Sequence, residues 1–205
     1  MKKALLIAVF CVVVLAGWKY PLLGYVASAV MLAGLAGGFI GGRYVCGNIC
    51  PRGAFLDKAG ALVSPRKPLP DIAADMRLRW GIFALLMGFM AFRLWQGPLT
   101  VRHTGLIFWQ MCVITSAIAL VLAAAWRPRT WCALCPMGTV QRAAGGGSRV
   151  PQIDKAACVS CGLCEKACPL ELPLVSVPGK RSMKDCIQCG ACAKSCPRGS
   201  VRDFC

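Results

Sequence analysis

Eight of the fifteen cysteines occur in two copies of one spacing near the carboxyl end of the chain. In each copy, two residues separate successive cysteines in a group of three. Three further residues separate the third cysteine from a fourth, which is followed directly by proline. Thiolates at this spacing are typical ligands of [4Fe-4S] clusters, because a tight loop brings three sulfurs to one cubane. The copies are Cys158, Cys161, Cys164 and Cys168, and Cys186, Cys189, Cys192 and Cys196.

This spacing is that of bacterial two-cluster ferredoxins, in which the fourth cysteine of each run ligates the other cluster. Gly162 and Gly190 would let the backbone wrap the clusters. Zinc is disfavoured, because zinc sites take ligands in pairs and do not need two interlocked quartets. Clusters with a purely structural role stay an alternative, although two neighbouring clusters favour electron transfer. The sequence predicts cluster 1 on Cys158, Cys161, Cys164 and Cys196, and cluster 2 on Cys186, Cys189, Cys192 and Cys168.

Four more cysteines, here called the membrane-edge cysteines, form two pairs in the apolar part of the chain. Each pair is followed by Pro and, two residues after the Pro, by Gly, so this part is a duplicated unit. Four thiolates fit a third [4Fe-4S] cluster, and arginines nearby favour an anionic one. Free thiols, a redox disulfide, copper or zinc are the alternatives, and a reducing compartment disfavours a structural disulfide. The pairs are Cys46 with Cys50 and Cys132 with Cys135, and the arginines are Arg43, Arg52 and Arg129.

The composition places most of the chain in a membrane. Of its 205 residues, 57% are hydrophobic, and the mean hydropathy is +0.60. The formal net charge of +16 is partly offset by clusters that carry about −2 each. The basic residues flank apolar segments, as they do in membrane proteins, so anionic lipid and an acidic redox partner are expected neighbours and nucleic acid is not.

Four apolar runs predict four transmembrane helices in two hairpins. The first run is short enough for a secretory signal, but the second run passes through the cleavage-like Ala27-Ser28-Ala29, and cleavage there would cut a membrane helix in half. Glycines of the second run predict close helix packing. The predicted spans are Ala4–Trp18, Pro21–Gly42, Trp80–Trp95 and Gly105–Trp126.

The predicted fold is thus an α-helical membrane module followed by an α+β ferredoxin-like domain with two [4Fe-4S] clusters. Residues 1–142 form the module, residues 143–150 a Gly-rich linker, and residues 151–205 the ferredoxin-like domain. Basic residues concentrate between the hairpins and after the last span, which predicts that these segments are cytoplasmic. Both termini and all clusters are therefore expected on the cytoplasmic side of a bacterial inner membrane.

The motifs resemble those of a known family. The run Gly-Arg-Tyr-Val-Cys-Gly-Asn-Ile-Cys-Pro from Gly42, the Trp-Cys-Ala-Leu-Cys-Pro run from Trp131 and the two ferredoxin motifs resemble the ferredoxin-type membrane proteins of the NapH and MauN kind. The apolar half also resembles the polyferredoxin regions of NosR and CcoG. One departure is that only two residues separate Cys132 from Cys135, where family members often have three.

The resemblance implies a membrane-bound electron carrier. Such proteins pass electrons between the quinol pool and a partner subunit, often of a respiratory or periplasmic reductase or dehydrogenase system, so the chain is expected in a quinol dehydrogenase complex. Two alternatives are an electron-donating factor for metalloenzyme maturation and a passive membrane anchor. A metal-handling segment rich in Met or His, which would favour the maturation factor, is not evident.

His103 is the chain's one histidine, and it is the sequence's candidate for a quinone site. Histidine titrates in the range needed to accept a quinol proton, and Trp95 and Trp109 could frame a ring. An interfacial histidine without a redox role is the alternative, and the predicted topology puts His103 on the face opposite the cysteines. Among the remaining cysteines, Cys11 and Cys112 are expected to be apolar filler and Cys205 a free thiol.

Overall fold

The fold was described from a computed structural model, which covers residues 2–147, 149–175 and 182–202. Cys205, expected to be a free thiol, lies outside the described residues. The fourteen cysteines within the described ranges are all unbridged.

The first half of the membrane module is a pair of long helices followed by short helices that carry a cysteine pair. The helices of this half are α1 (Lys2–Ala16), α2 (Gly24–Gly41), α3 (Tyr44–Asn48), α4 (Pro51–Phe55) and α5 (Ala61–Val63). A 3-10 turn at Pro21–Leu23 leads into α2, and a π-helical turn at Leu56–Gly60 separates α4 from α5.

The second half repeats this order. Its long helices each begin at a side-chain cap, because the Asp75 carboxylate accepts from the Arg77 amide and the Thr100 hydroxyl accepts from the His103 amide. Proline then starts the last helix, as it also starts α4 in the first half. The helices of this half are α6 (Met76–Trp95), α7 (Val101–Ala125), α8 (Thr130–Leu134) and α9 (Pro136–Gly145).

Three helical stretches are long and apolar enough to cross a bilayer: Pro21–Gly41, Met76–Trp95 and Val101–Ala125. Their surfaces expose large apolar side chains, including Leu32 and Leu85, as expected of helices that face lipid. The prediction of four spans is matched at three of them. The first helix, α1, has 15 residues and rises about 22 Å, which is less than the roughly 30 Å of a bilayer core.

Helices of each half of the module pack against elements of the other half. The second helix of the first half, α2, packs on α9 of the second half, and α7 packs on the π-helical turn of the first half. The glycine face of α2 allows this approach, as predicted: a side chain at Gly34 or Gly38 would meet Gln141 of α9, and one at Gly37 would meet Val45. The duplicated unit is therefore an intertwined pair.

The ferredoxin-like part consists of two short helices and a two-stranded antiparallel ribbon. The helices are α10 (Leu163–Ala167) and α11 (Ala191–Ser195). The strands are β1 (Gln152–Ile153) and β2 (Val201–Arg202), paired with Ile153 opposite Val201. The ribbon ties the start of this part to its end, which closes the loops that carry the eight cysteines.

The close approach of α2 to α7 gives a test of the bundle. A Cβ at Gly24 would meet the carbonyl group of Gly105, whereas one at Gly88 on α6 would meet nothing within 4 Å. We expect Gly24→Ala to destabilise the protein by about 1–3 kcal/mol, because the added methyl group would meet backbone, which cannot yield as a side chain can. Thermal unfolding in detergent, followed by tryptophan fluorescence, measures this, with Gly88→Ala as the matched control. Equal midpoints for both variants would contradict the described packing.

Candidate metal centres

The cysteines predicted for cluster 1 line one small cavity in the ferredoxin-like part. This cavity holds Cys158, Cys161, Cys164 and Cys196, with the apolar side chains of the ribbon as its floor. The fourth cysteine comes from the second motif, as the crossed pattern predicts. Cys161 is exposed and Cys164 is buried, so this centre reaches the protein surface on one side.

The cysteines predicted for cluster 2 line a second cavity. Cys186, Cys189, Cys192 and Cys168 surround it together with apolar side chains such as Leu170 and Ile187. Again one cysteine crosses from the other motif. Leu170 and Ile187 are both buried, and none of the four cysteines of this cavity is exposed.

Both cysteine loops have the same backbone conformation. Ser160 and Gln188, two residues after the first cysteine of each motif, have φ of 52° and 53°. Gly162 and Gly190 have φ of 71° and 69° and cap α10 and α11. Positive φ at these positions bends each loop around its cavity, and glycine adopts it without strain, as the sequence indicated.

The protein surroundings act differently on the thiols of the two ferredoxin centres. Burial raises the pKa of Cys186 to about 12. At the exposed centre, a hydrogen bond with Ser200 lowers the pKa of Cys196 to about 7. Thiolate ligands in the buried centre therefore need the positive charge of bound iron, so cluster binding should release protons.

The membrane-edge cysteines also come together. Cys46 lies in α3 and Cys132 in α8, while Cys50 and Cys135 directly precede α4 and α9. Burial raises the pKa of Cys46 to about 12, Arg43 opposes that rise, and the other three thiols add to it. The two halves thus bring one cysteine pair each to a shared site, as the duplicated pattern predicted.

Two buried arginines cross between the halves at this site in a reciprocal way. Arg43, three residues before Cys46, donates to the carbonyl oxygen of Cys132 at 2.5 Å. Arg129, three residues before Cys132, donates to the carbonyl oxygen of Cys46 at 2.9 Å. Each guanidinium therefore reaches from its own half into the cysteine motif of the other, and we call this pair the crossed arginines.

The glycine of each Cys-Pro-x-Gly sequence makes room for the crossed arginines. A Cβ at Gly53 would meet the guanidinium of Arg129 at 2.6 Å, and a Cβ at Gly138 would collide with that of Arg43. Arg43 is 1% exposed and Arg129 is 2% exposed. The glycines noted in the sequence are thus required by the space that two buried guanidinium groups occupy.

A third arginine lies directly against the membrane-edge cysteines. Arg52 donates to the Thr115 hydroxyl at 2.8 Å and to Cys135 Sγ at 3.3 Å, and its guanidinium carbon is 5.6 Å from the Trp131 ring centroid. Among the described residues it forms no ion pair with a carboxylate. A partly buried cation without a carboxylate favours another anion at this place, and a cysteine-ligated [4Fe-4S] cluster carries about −2.

A buried carboxylate joins the ferredoxin-like part to the membrane module. Asp185 is 3% exposed, and it accepts from Arg43 at 2.9 Å, from Arg79 at 2.7 Å and from Arg142. Cys186, a predicted ligand of cluster 2, is the next residue. Arginines from three segments of the module thus converge on the residue that begins the second cysteine loop.

Backbone contacts reinforce this docking. Gln188 donates to the Gly41 carbonyl at 2.6 Å, and Asn48 donates to the Gln188 carbonyl at 3.1 Å. A side chain at Gly47 would collide with the carbonyl of Ile187. The second cysteine loop therefore sits directly on the loop that carries Cys46.

One apolar core joins the two cysteine sets. The buried residues Ala73, Ala133, Leu170, Leu172 and Ile187 form it, and cysteines from both sets pack against it. The cysteines are Cys46 and Cys132 from the membrane edge, and Cys168, Cys186 and Cys189 from the second cavity. The membrane-edge site and the second cavity are thus neighbours.

The spacing of the cysteines suits a polynuclear centre better than a single ion. No three His, Cys, Asp or Glu side chains in residues 2–147, 149–175 and 182–202 are placed to hold one metal ion. Zinc–sulfur bonds of about 2.3 Å would require sulfurs roughly 3.8 Å apart in a tetrahedron. The two ferredoxin quartets each surround a small cavity, so the residues present there fit [4Fe-4S] clusters.

Comparison with known proteins agrees with this geometry. A family model described as "4Fe-4S binding domain" matches twice, at residues 23–70 and 108–153, once over each cysteine-bearing half of the module. Two further models with the same description match residues 150–173 and 181–202. The chain is therefore a 4Fe-4S ferredoxin-type protein, and it binds [4Fe-4S] clusters.

Two curated relatives that the chain matches are ferredoxin-type proteins named MauN. The chain is 31% identical to the methylamine utilization ferredoxin-type protein MauN of Paracoccus denitrificans over 177 residues, which cover 80% of this chain and 59% of the relative. It is 30% identical to MauN of Methylorubrum extorquens over 142 residues, 63% of this chain and 48% of the relative. The chain thus spans about half the length of these relatives. No solved structure matches it.

His103 lies apart from all twelve of these cysteines. It is in the first turn of α7, where Nε2 is 3.4 Å from the Arg93 carbonyl oxygen. Thr115, which contacts Arg52, lies twelve residues further along the same helix, about 18 Å away along its axis. The role of His103 in quinone binding stays a prediction.

Sequence reasoning did not find Asp185 or the crossing of the arginines. Asp185 precedes a cysteine in a soluble-looking segment, so nothing local distinguishes it from a solvent-exposed carboxylate. The crossed arginines had a signal, because an arginine stands three residues before the first cysteine of both membrane motifs. A search for residues repeated at equal offsets would have found that pair.

The docking contact is testable by removing one charge. We expect Asp185→Asn to weaken docking by about 3–5 kcal/mol, because three arginines then lose their carboxylate partner. Limited proteolysis of the cluster-loaded protein in detergent should release the ferredoxin-like part faster. Asp154→Asn is the control, since its bond to Arg202 at 3.3 Å is exposed and contributes about 0–1 kcal/mol. Equal cleavage rates for the two variants would refute this role of Asp185.

Proposed function

We propose that this protein relays electrons between the membrane quinol pool and a redox partner subunit. What is shown is coarser: it is a ferredoxin-type iron-sulfur electron-transfer protein with helices that can cross a membrane. Each [4Fe-4S] cluster, when bound, supplies a centre that takes up and releases one electron. For a relay, the residues of this chain have to hold several such centres one after another, from the bilayer edge to the protein surface.

The proposed ligands are twelve cysteines in three quartets. The membrane-edge quartet is shared between the two halves, and the other two quartets are each completed by a cysteine from the opposite motif. The quartets are Cys46, Cys50, Cys132 and Cys135; Cys186, Cys189, Cys192 and Cys168; and Cys158, Cys161, Cys164 and Cys196.

The observation that carries the proposal is the apolar core shared by two of the quartets. Cys46 and Cys132 pack on the same buried residues as Cys168 and Cys186. A structural role for the ferredoxin-like part would not require its second quartet to lie on the membrane-edge one. Neighbouring quartets on a rigid interface favour a path for electrons, because the interface keeps their separation constant.

The charges around the membrane edge support a third cluster there. Arg43, Arg52 and Arg129 are all close to the thiols. Burial opposes the charge on Arg52, yet the neighbouring thiols outweigh that effect and raise its pKa. A cluster of about −2 charge would balance these cations and would be stabilised by them.

The proposed topology has four helices in the membrane and every cluster on the cytoplasmic side. Although α1 is short, it packs on α4 and α7 and exposes apolar side chains such as Leu5 and Leu15. A short span is accommodated by local thinning of the bilayer. Both cysteine pairs follow a hairpin, so they share one face, and the basic loops on that face favour the cytoplasm.

The outermost quartet is the proposed exit toward a partner. Cys161 is exposed, and the apolar side chains of Val159 and Leu163 beside it are 56% and 44% exposed. Lysines and arginines in this part would attract an acidic redox partner. Residues 151–205 would then act as the ferredoxin-like domain that contacts it, and residues 1–142 as the module that contacts the bilayer.

Iron analysis tests the three quartets. Wild-type protein purified without oxygen should hold about 12 iron atoms per chain, because each cluster contains four. Serine at the four membrane-edge cysteines should lower this to about 8 and remove one spectroscopic component in the reduced state. Serine at Cys11, which lies in α1, is the matched control and should leave iron unchanged. About 8 iron atoms in the wild type would exclude the third cluster.

Reduction by quinol tests the relay itself. In sealed proteoliposomes, a low-potential quinol should bleach the visible absorption of the clusters, and an added chemical reductant gives the full extent. The Cys46→Ser, Cys50→Ser variant should lose quinol-driven bleaching by about 100-fold, while the chemical reductant still bleaches its two remaining clusters. Inertness of the wild type to every quinol tried would overturn the relay and favour a maturation factor or an anchor.

A further inference from the structure

An apolar cavity lies between the long helices of the membrane module and is partly open at the surface. Its volume is about 160 Å³, and all four long helices contribute to its wall. Five methionines line it: Met31, Met87, Met90, Met111 and Met137. Methionine adapts its shape to a ligand and packs well against rings, so the wall suits a flat apolar molecule.

One end of the cavity is polar, and that end is at the cysteines. Cys46, Cys50 and Arg52 line it, together with Thr115. The guanidinium of Arg52 has five N–H donors, and within the described part of the chain two hydrogen bonds from it are found, to Thr115 and Cys135. Donors therefore remain at this end for an acceptor inside the cavity.

We propose that this cavity binds the ring of a membrane quinone, with Arg52 donating a hydrogen bond to a ring carbonyl oxygen. The inference rests on the proposed relay and names the place where its bilayer substrate binds. A quinone ring is flat, apolar across its faces and carries oxygen acceptors at its edge, which matches an apolar wall with a cationic end.

The size of the cavity agrees with this ligand. A dry apolar cavity of about 150 Å³ in another protein holds benzene, and this one has about 160 Å³. A six-membered ring therefore fits, and the isoprenoid tail would extend between the helices. A lipid acyl chain would also satisfy the apolar wall, but it would leave the donors of Arg52 unused.

The cavity lies closer to the membrane-edge cysteines than His103 does. A ring bound at His103 would be about 18 Å along α7 from Thr115, whereas a ring in the cavity touches the residues that include Cys46 and Cys50. The short separation between substrate and predicted cluster ligands favours the cavity. His103 is not among its lining residues.

Photoaffinity labelling tests the site without depending on turnover. An azidoquinone is bound to the cluster-loaded protein in detergent, irradiated, and the labelled peptides are identified by mass spectrometry. We expect label on the α2 and α7 segments that line the cavity, and competition by excess unlabelled quinone. The proposal would be overturned by label at residues 95–103, by label that excess quinone does not displace, or by the absence of label. Displacement of the label by fatty acid but not by quinone would also overturn it and would identify a lipid site.

Matched variants sharpen the test. Ala27 lines the cavity, and Ala33 on the same helix is exposed and does not. Ala27→Phe should fill the ring site and reduce labelling about tenfold or more, the equivalent of about 1.4 kcal/mol or greater, while Ala33→Phe should label as wild type does. Met90→Trp against Phe89→Trp repeats the comparison on α6. Equal labelling within each pair would overturn the site.

The readouts separate this inference from the relay. Iron content and thermal midpoint identify variants that retain the fold, and only those are compared. If quinol reduces the clusters but cavity-filling variants are labelled normally, the relay stands and the cavity site fails. If the cavity is labelled and competed for, but no quinol reduces the clusters, the binding site stands and the relay fails.

Discussion

The structure depends on two guanidinium groups that each bind in the other half's cysteine motif. Arg43 and Arg129 are almost wholly buried, and burying such a charge is costly unless nearby acceptors compensate. The Cys132 and Cys46 carbonyl groups supply those acceptors across the interface. Because each contact needs both halves, neither cysteine pair can be positioned by its own hairpin alone. The shared metal site and the packing of the module are thus set by the same interaction.

Each crossed arginine also pairs with a carboxylate, and the two carboxylates come from different parts of the chain. Arg129 pairs with Asp57 at 2.7 Å, where hydrogen bonds from Arg129 and Lys3 outweigh the effect of burial and lower the pKa of the carboxyl group. Four residues after the motif glycine, the first half has Asp57, whereas the second half has Arg142. Arg43 therefore lacks a carboxylate in its own module, and Asp185 of the ferredoxin-like part supplies it. This ion pair thus ties the ferredoxin-like part to the membrane module.

The sequence alone predicted best those features that depend on residues close together in the chain. The spacing of eight cysteines predicted which four line each ferredoxin cavity, because loop geometry and a crossing fourth residue are encoded within about ten residues. It also predicted a glycine-mediated helix contact, which Gln141 confirms by packing on Gly34 and Gly38. It did not predict Asp185 beneath three arginines or the cavity among the long helices. Both arise from segments more than forty residues apart in the chain, and no local pattern encodes such meetings. Three spans met the length expected, and α1, with its 15 residues, did not.

The contacts of the crossed arginines are reciprocal, like those across the interface of a symmetric dimer. In a symmetric dimer, a residue of one subunit contacts a site on its partner, and the partner's copy of that residue makes the same contact in return. Arg43 with Cys132 and Arg129 with Cys46 have this form within one chain, as do Gly138 and Gly53 beneath them. The module therefore has the contacts of an internal pseudo-twofold, with one copy of the hairpin in the place of each subunit. Asp57 and Arg142 occupy equivalent positions in the two halves but carry opposite charges, so the pseudo-twofold is broken where the ferredoxin-like part binds.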